Sequence, residues 1–238
     1  MSRLYLYGIT RPREVPQRLA DQGVFLVDSE HRSVVVSELG QVDNGGPVEA
    51  TRRNLLAHAD VVEQLHQDAV VLPARFGYVL ESHEEALELL ELPEIEQLLD
   101  RHERTCELTL RGRYEESVLA EVGAGLQPLR DAYRAEPSVE VGIALGEAVG
   151  ERLAARRARD QSLVLDELRP LVLDIAVGEP AGEFAVFDLA LLVERGRVER
   201  IEARLEELAA RLSPPIHFKL VGPLPPYSFV RLGMPAVA

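Results

Sequence analysis

The chain has 238 residues, enough for one large domain or for two domains of about 100 residues each. Hydrophobic residues make up 46% of it, which is sufficient to bury a core, and 40 acidic against 26 basic residues give a formal net charge of −14. This charge argues against a nucleic-acid partner, because contacts to phosphates need clustered lysine and arginine.

The cysteine content and the hydropathy pattern indicate the cellular compartment. Cys106 is the only cysteine, so no intramolecular disulfide can form, as expected in a reducing cytoplasm. The first residues contain no apolar run long enough for a signal peptide, and no run of about 20 apolar residues predicts a membrane span. The sequence therefore predicts a cytoplasmic protein that is not embedded in a membrane.

The first third of the chain alternates strand and helix signals. Residues 4–9 are aromatic and aliphatic, which predicts a strand, and residues 15–22 predict a short helix. Residues 24–28 and 34–39 predict a hairpin, and the polar, glycine-rich residues 43–47 predict a turn after it.

A helix and a short strand follow the predicted turn. The apolar face of the helix recurs with a period near 3.6 residues at Val48, Leu55, Ala59, Val62 and Leu65. An apolar strand at 69–72 then ends at Pro73. The order βαββαβ predicts a ferredoxin-like, or split βαβ, domain.

Helix-start signals lead to the predicted domain boundary. Ser82 and Glu85 have the spacing of a capping box, and Pro93 divides the following helical segment in two. Charged and polar residues occupy 100–105. The sequence therefore predicts an N-terminal α/β domain at 1–102 and a C-terminal α/β domain at 103–238.

The second half repeats the mixture of strands and helices. Strands are predicted at 106–111, 184–193 and 216–221, the second of them central and buried on both faces. Helical sequence dominates 115–175, with Ser138 as an N-cap. A further helix carries an apolar stripe at Val198, Ile201, Leu205, Leu208 and Leu212. The segment 213–215, Ser-Pro-Pro, is expected to end this helix. The predicted fold class is α+β, with two ferredoxin-like α/β sandwiches, the second containing a long helical insertion.

Candidate catalytic and metal-binding residues are few. The six histidines lack the spacing of metal ligands, and we interpret them as surface or boundary residues. Asp188 lies within the apolar strand at 184–193, where a carboxylate needs a partner. A salt bridge is the preferred interpretation of Asp188, and a catalytic role is the alternative. No cofactor or metal is predicted.

Three glycines recur every fourth residue in the longest predicted helix, at Gly142, Gly146 and Gly150. Each glycine weakens a helix by about 1 kcal/mol relative to alanine. Close packing against another element of the same chain is the preferred explanation for them, and a groove for a partner is the alternative.

Three segments carry a resemblance to a known family. They are LYLYGI at 4–9, PARFG at 73–77 and GPLPPYSF at 222–229. In this order they resemble the gas vesicle protein F/L family over nearly the whole chain. The matching positions are Tyr5, Tyr7, Gly8, Pro73, Arg75, Phe76, Gly77, Gly222, Pro223, Pro225, Pro226, Tyr227 and Phe229.

The resemblance implies an accessory protein of gas vesicle assembly with two α/β domains and no enzymatic activity. It implies binding to the small hydrophobic shell protein, with help in nucleating or chaperoning its assembly, and contacts to other accessory proteins. The residues expected to contact a partner are Tyr5, Tyr7, Arg75, Phe76, Tyr227 and Phe229. For Arg75, pairing with a carboxylate such as Asp60 or Glu63 is the preferred expectation. For 222–229, we expect an extended segment that wraps its own domain.

Two other classes of function remain open from the sequence. One is a small-molecule-binding sensor or regulatory protein, because ferredoxin-like domains bind ligands between sheet and helices. The other is an enzyme centred on Asp188 or Arg75. A salt-bridged Asp188 disfavours the enzyme, and a buried, unpaired one favours it.

Overall fold

The computed structural model describes residues 3–39, 48–212 and 216–230. The predicted turn at 43–47 and the segment 213–215, which was expected to end the last helix, lie outside these described residues. The chain divides into two compact units. The first runs to Glu107 and resumes at Pro223, and the second comprises Leu108–Gly222.

The first unit is built on a five-stranded antiparallel sheet. Its strands are β1 (Leu4–Thr10), β2 (Val24–Asp28), β3 (Ser33–Glu38), β4 (Val71–Pro73) and β5 (Val79–Leu80). Four of them follow the order β2-β3-β1-β4, and β5 also pairs with β1. The expected hairpin is present as β2 and β3, with the paired residues Leu26 and Val35 at its centre.

Helices cover both faces of this sheet. They are α1 (Gln17–Ala20), α2 (Arg52–His66), α3 (His83–Leu90) and α4 (Pro93–His102). Because side chains alternate along a strand, Val34 and Val36 enter one apolar cluster and Val35 the other. The cluster of Val34 includes side chains of α3 and α4, whereas that of Val35 includes side chains of α1 and α2.

The predicted helix starts are confirmed. The hydroxyl of Ser82 accepts a hydrogen bond of 3.2 Å from the backbone N–H of Glu85, as an N-cap does. Pro93 occupies the start of α4, where its missing N–H costs nothing. The predicted face of α2 is only partly right, since Val62 and Leu65 are buried but Leu55 is exposed.

The second unit contains most of a four-stranded sheet. Its strands are β6 (Thr105–Tyr114), β7 (Asp174–Gly178), β8 (Ala185–Glu194) and β9 (Ile216–Leu224). Their order is β7-β8-β6-β9, which places β8 inside the sheet as predicted. Both sheets therefore arrange their strands in the order second, third, first, fourth. β7, which is short and half exposed, was not predicted from the sequence.

Helices connect the strands of the second sheet. They are α5 (Val118–Gly123), α6 (Gln127–Ala135), α7 (Val139–Leu168) and, after a 3-10 turn at Arg195–Arg197, α8 (Val198–Arg211). The first three form the predicted helical insertion between β6 and β7. Ser138 caps α7 by accepting a hydrogen bond from the N–H of Val141. On α8, Ile201, Leu205 and Leu208 are buried, as their spacing predicted.

The three glycines of α7 do not share the expected packing. A Cβ atom at Gly142 would lie 3.2 Å from the ring of Tyr133, so that glycine does allow a close contact. At Gly146 and Gly150 the added atom would meet no described atom within 4 Å. The expectation of close intramolecular packing is therefore wrong for these two, because no residue of α7 before Leu153 is buried.

The observed mixture of helices and two sheets confirms the α+β class. The segment from Pro223 belongs to the first unit, whereas the predicted C-terminal domain contains it. The boundary predicted at residue 102 stays a prediction. No helix in the described parts of the chain is both long and apolar enough to cross a bilayer.

Two contacts explain why the C-terminal segment joins the first unit. Ser228 donates hydrogen bonds to the buried carboxylate of Glu107 from its backbone N–H, at 2.7 Å, and from its hydroxyl, at 2.9 Å. Val230 packs against the apolar cluster that α3 and α4 cover.

Candidate functional site

Residues from distant parts of the chain meet in the first unit around His58 of α2. Tyr5 and Tyr7 project from β1, and Phe76 lies in the loop between β4 and β5. His58 is 6% exposed and contacts all three rings. Two of the three motif segments thus meet at a histidine that belongs to none of them.

A chain of hydrogen bonds runs through this group. The N–H of Gly77 donates to the Tyr5 hydroxyl at 3.3 Å, which lies 2.9 Å from Nδ1 of His58. Nε2 of His58 lies 3.2 Å from the carbonyl oxygen of Ala74. Because a carbonyl oxygen only accepts, Nε2 carries the proton and Nδ1 accepts from Tyr5. Both ring nitrogens of His58 are therefore engaged.

Burial shifts the pKa values of both His58 and Tyr5. It lowers the pKa of His58, against a smaller opposing contribution from the Ala74 carbonyl, so the ring is neutral at pH 7. Burial also raises the pKa of Tyr5 to about 12, which keeps its hydroxyl protonated. The hydrogen bonds thus join neutral groups in fixed orientations.

Ring contacts pack the same residues closely. The ring of Tyr7 stacks on His58 with centroids 5.6 Å apart, and Phe76 meets the edge of His58 at 5.8 Å. Tyr5 and Tyr7 lie edge to face at 4.9 Å. We call Tyr5, Tyr7, His58 and Phe76 the aromatic cluster.

A cavity of about 460 Å³ borders the aromatic cluster. We call it the motif cavity. It is lined by His58, Ala59, Pro73, Ala74, Arg75, Phe76, Tyr227, Ser228 and Val230. The PARFG segment and the C-terminal GPLPPYSF segment therefore contribute to one site, although about 150 residues separate them in the chain.

Gly77 explains the shape of the PARFG loop. Its φ of 87° lies in the left-handed region, which residues with a side chain adopt at a cost. The turn directs the backbone N–H of Gly77 toward the Tyr5 hydroxyl and leaves Arg75 exposed at the cavity.

The expected ion pair of Arg75 is absent. Among the residues that the structure describes, no carboxylate lies within 4 Å of its guanidinium. Asp60 instead pairs with Arg18 at 3.2 Å. The expectation is wrong because the side chain of Arg75 lines the motif cavity and faces solvent, so its charge is hydrated and not paired.

The C-terminal motif residues occupy different places. Tyr227 is 37% exposed at the cavity, and burial of its phenol raises its pKa, with further contributions from Glu63 and Glu107. Phe229 is partly buried and is not among the residues that line the cavity. The structure thus brings five of the six predicted contact residues to the aromatic cluster or the motif cavity. Whether any of them contacts a partner stays a prediction.

The other candidate residues have structural roles. Asp188 lies 2.9 Å from Nε of Arg111, so the salt-bridge interpretation is confirmed. Across the described ranges, no three His, Cys, Asp or Glu side chains form a group that could hold a metal ion. Interpreting all six histidines as surface or boundary residues is wrong for His58, His66 and His102, which are buried.

Sequence reasoning missed His58 as a member of the site. A signal was present, because His58 shares its helical face with Val61, Val62 and Leu65, at spacings of three, four and seven residues. A histidine on an apolar stripe needs partners for its ring nitrogens, and Tyr5 and the Ala74 carbonyl provide them.

Comparisons with known proteins find matches over nearly the full length of the chain. The profile of the family described as "Gas vesicle synthesis protein GvpL/GvpF" matches residues 3–231. Gas vesicle protein F of a Streptomyces species (strain CB03234) is 30% identical over 239 residues, covering 95% of this chain and 98% of that protein. Gas vesicle protein F of Dolichospermum flosaquae is 28% identical, covering 96% and 98%.

Solved structures show the same fold. The crystal structure of gas vesicle protein GvpF from Anabaena sp. PCC7120 matches with a TM-score of 0.79 at 24% identity, covering 97% of this chain and 99% of that one. GvpF from Microcystis aeruginosa matches with a TM-score of 0.74 at 20% identity, covering 96% and 99%.

Proposed function

Because this chain belongs to the GvpL/GvpF family of gas vesicle synthesis proteins, we propose that it binds the hydrophobic shell protein and helps to nucleate or chaperone its assembly. In this role it acts in the cytoplasm, at growing gas vesicles, together with other accessory proteins. The observation that carries the proposal is the meeting of PARFG and GPLPPYSF at the motif cavity, next to the aromatic cluster.

The physical basis is the protection of apolar surface. A hydrophobic shell subunit aggregates if its apolar surface and strand edges stay open to water. The motif cavity offers apolar walls at Phe76, Tyr227 and Val230 that can take a side chain of such a subunit. The net charge of −14 keeps the bound pair soluble through repulsion between complexes.

We further propose that the protein works by contact and not by catalysis. Both nitrogens of the His58 imidazole are hydrogen-bonded to groups of this chain, which hold the ring in one orientation. Asp188 is paired with Arg111, and 28% of its side chain is exposed. The pairing of Asp188 disfavours the enzymatic alternative that the sequence left open.

We also propose that both sheets follow the ferredoxin-like plan. In each, the strands lie in the order second, third, first, fourth, with helices between the first and second and between the third and fourth strands. α3 and α4 of the first unit add a layer on the opposite face of its sheet.

Co-purification with the shell protein of the same organism tests the proposed function. We expect the wild-type protein to retain the shell protein, and Phe76→Ala and Tyr227→Ala to lower the retained amount about tenfold, as buried aromatic contacts do at interfaces. Tyr133→Ala is the matched control, because Tyr133 is 42% exposed and lies in the second unit. Absence of binding by the wild type, with normal vesicles in a deletion strain, would contradict the proposal.

A further inference from the structure

The lining of the motif cavity combines apolar surface with one charged side chain. Pro73, Phe76 and Val230 and the ring of Tyr227 supply apolar surface. The volume of about 460 Å³ lies within the range of about 300–1,000 Å³ in which proteins bind small ligands. The cavity therefore has room for a large apolar side chain and the groups next to it.

Two of the polar side chains that line the cavity are already engaged by other groups of the chain. His58 uses both nitrogens within the aromatic cluster, and the Ser228 hydroxyl donates to Glu107. Arg75 has no ion-pair partner in the described parts of the chain and is exposed. Its guanidinium carries five donors in a planar fork, which binds a carboxylate through two parallel hydrogen bonds.

The surrounding charges restrict where an anion can bind. Glu63 and Glu107 act on the phenol of Tyr227, so that side of the cavity repels a carboxylate. Arg75 is the cation among the lining residues, in a chain whose net charge is −14. A ligand with one carboxylate is therefore bound most favourably when that group lies at Arg75.

From these contacts we propose that the motif cavity binds a polypeptide segment that presents a large apolar side chain next to a carboxylate. The apolar side chain occupies the space between Phe76 and Tyr227, and the carboxylate pairs with Arg75. The cavity is open to solvent at Arg75 and Tyr227, which gives access to a side chain of another protein. The inference rests on the proposed function, because it names the chemistry by which that site recognises its partner.

A pair of small probes tests the recognition directly. 3-Phenylpropionate and 3-phenylpropionamide have the same shape and differ in charge. Titration of the full chain, followed by NMR of labelled Phe and Tyr rings, should shift the signals of Phe76 and Tyr227. We expect the acid to bind about twofold to fivefold more tightly than the amide, as one exposed ion pair allows, and salt to reduce this preference.

Variants of arginines separate the ion pair from general effects. Arg75→Gln should remove the preference for the acid, whereas Arg75→Lys should retain part of it. Arg200→Gln is the matched control, because Arg200 is exposed on α8 of the second unit and should leave the preference unchanged. Arg75 is exposed, so its replacement should not prevent folding.

Three results would overturn the inference. They are equal affinity for acid and amide, a preference that persists in Arg75→Gln, and shifts confined to rings outside the motif cavity. Co-purification of Arg75→Gln with the shell protein distinguishes the two proposals. Normal shell binding by this variant contradicts the inference and leaves the proposed function intact. Acid binding at the cavity without any shell binding by the wild type supports the inference and contradicts the proposed function.

Discussion

Glu107 holds Ser228 through two hydrogen bonds, one to its backbone N–H and one to its hydroxyl, although 121 residues separate the two in the chain. Glu107 is 4% exposed, and its burial raises its pKa against the opposing effect of both hydrogen bonds. Without Ser228 the carboxylate would lie buried with fewer donors, so this contact secures the C-terminal part of the motif cavity.

Ser228→Ala removes the hydroxyl bond and keeps the backbone bond. We expect a loss of about 1.5–3 kcal/mol in the free energy of unfolding, as for hydrogen bonds to charged groups. Limited proteolysis should cut the segment 223–230 faster than in the wild type. Ser162→Ala on the exposed face of α7 is the control. An unchanged cleavage rate would show that the segment is held by other contacts.

Tyr5→Phe removes the hydroxyl that links the aromatic cluster. Nδ1 of His58 and the N–H of Gly77 then lose their partner in a buried or half-buried place. We expect a loss of about 1–3 kcal/mol, measured by urea unfolding. Tyr7→Phe should cost less, because the Tyr7 hydroxyl makes a longer contact of 3.3 Å to Ser37. Equal losses would contradict the assigned hydrogen-bond chain.

Lowering the pH should destabilise the first unit, because the buried ring of His102 resists protonation in the folded state. This ring is fully buried, and burial, followed by repulsion from Arg101, lowers its pKa from 6.5 to about 4. Between these values the unfolded chain binds a proton that the folded chain excludes, so stability is complete above pH 6.5 and falls as the pH approaches 4. The loss totals about 3 kcal/mol.

Unfolding measured between pH 7 and pH 4 tests this dependence. His102→Phe should flatten the profile, because phenylalanine has no group that titrates in this range. The hydroxyl of Thr105 keeps its bond to the carbonyl of residue 102 in this variant. His31→Gln, at an exposed histidine, should keep the wild-type slope. A slope that His102→Phe leaves unchanged would assign the acid sensitivity to other groups.

Asp160 is a buried carboxylate in the second unit. It accepts hydrogen bonds of 2.7 Å from the Tyr114 hydroxyl and from Nε of Arg156. Asp160→Ala leaves both donors without this acceptor, so we expect a loss of about 3–5 kcal/mol. Asp166→Ala, which breaks an exposed pair with Arg169, should cost less than about 1 kcal/mol. Thermal unfolding of both variants measures the contrast.

The open glycines of α7 predict a gain in stability. Gly146→Ala and Gly150→Ala add a methyl group where no described atom lies within 4 Å, and each should stabilise the helix by about 0.5–1 kcal/mol. The double variant should raise the melting temperature of the second unit by about 2–8 °C. Gly142→Ala should gain less, because its methyl group meets Tyr133. A fall in melting temperature would indicate that these positions are covered.

Local signals in the sequence predicted much of the fold. Hydroxyl caps at Ser82 and Ser138 mark helix starts because their hydrogen bonds reach only three residues along the chain. The hairpin followed from two apolar runs on either side of a polar segment, and the central strand from one continuous apolar run. β7 was missed because five residues ending in glycine carry little strand signal, and its place is set by pairing with β8.

Long-range contacts limited the prediction of the site. The motif segments were identified, but sequence spacing could not show that PARFG and GPLPPYSF line one cavity, or that His58 joins PARFG to β1. The partner of Arg75 was mispredicted for the same reason, since Asp60 lies nearer to Arg18 in the fold. Their spacing of four residues placed Gly146 and Gly150 on one face of the helix. The spacing does not predict whether another element packs on that face.

The return of the chain to its first unit has a consequence for biosynthesis. The amino-terminal end of a nascent chain emerges from the ribosome first, and a contiguous domain can fold while the rest of the chain is still being synthesised. Here the partner of Glu107 is translated 121 residues later, after the whole second unit. The motif cavity of the nascent first unit therefore stays incomplete until the segment 223–230 has been translated.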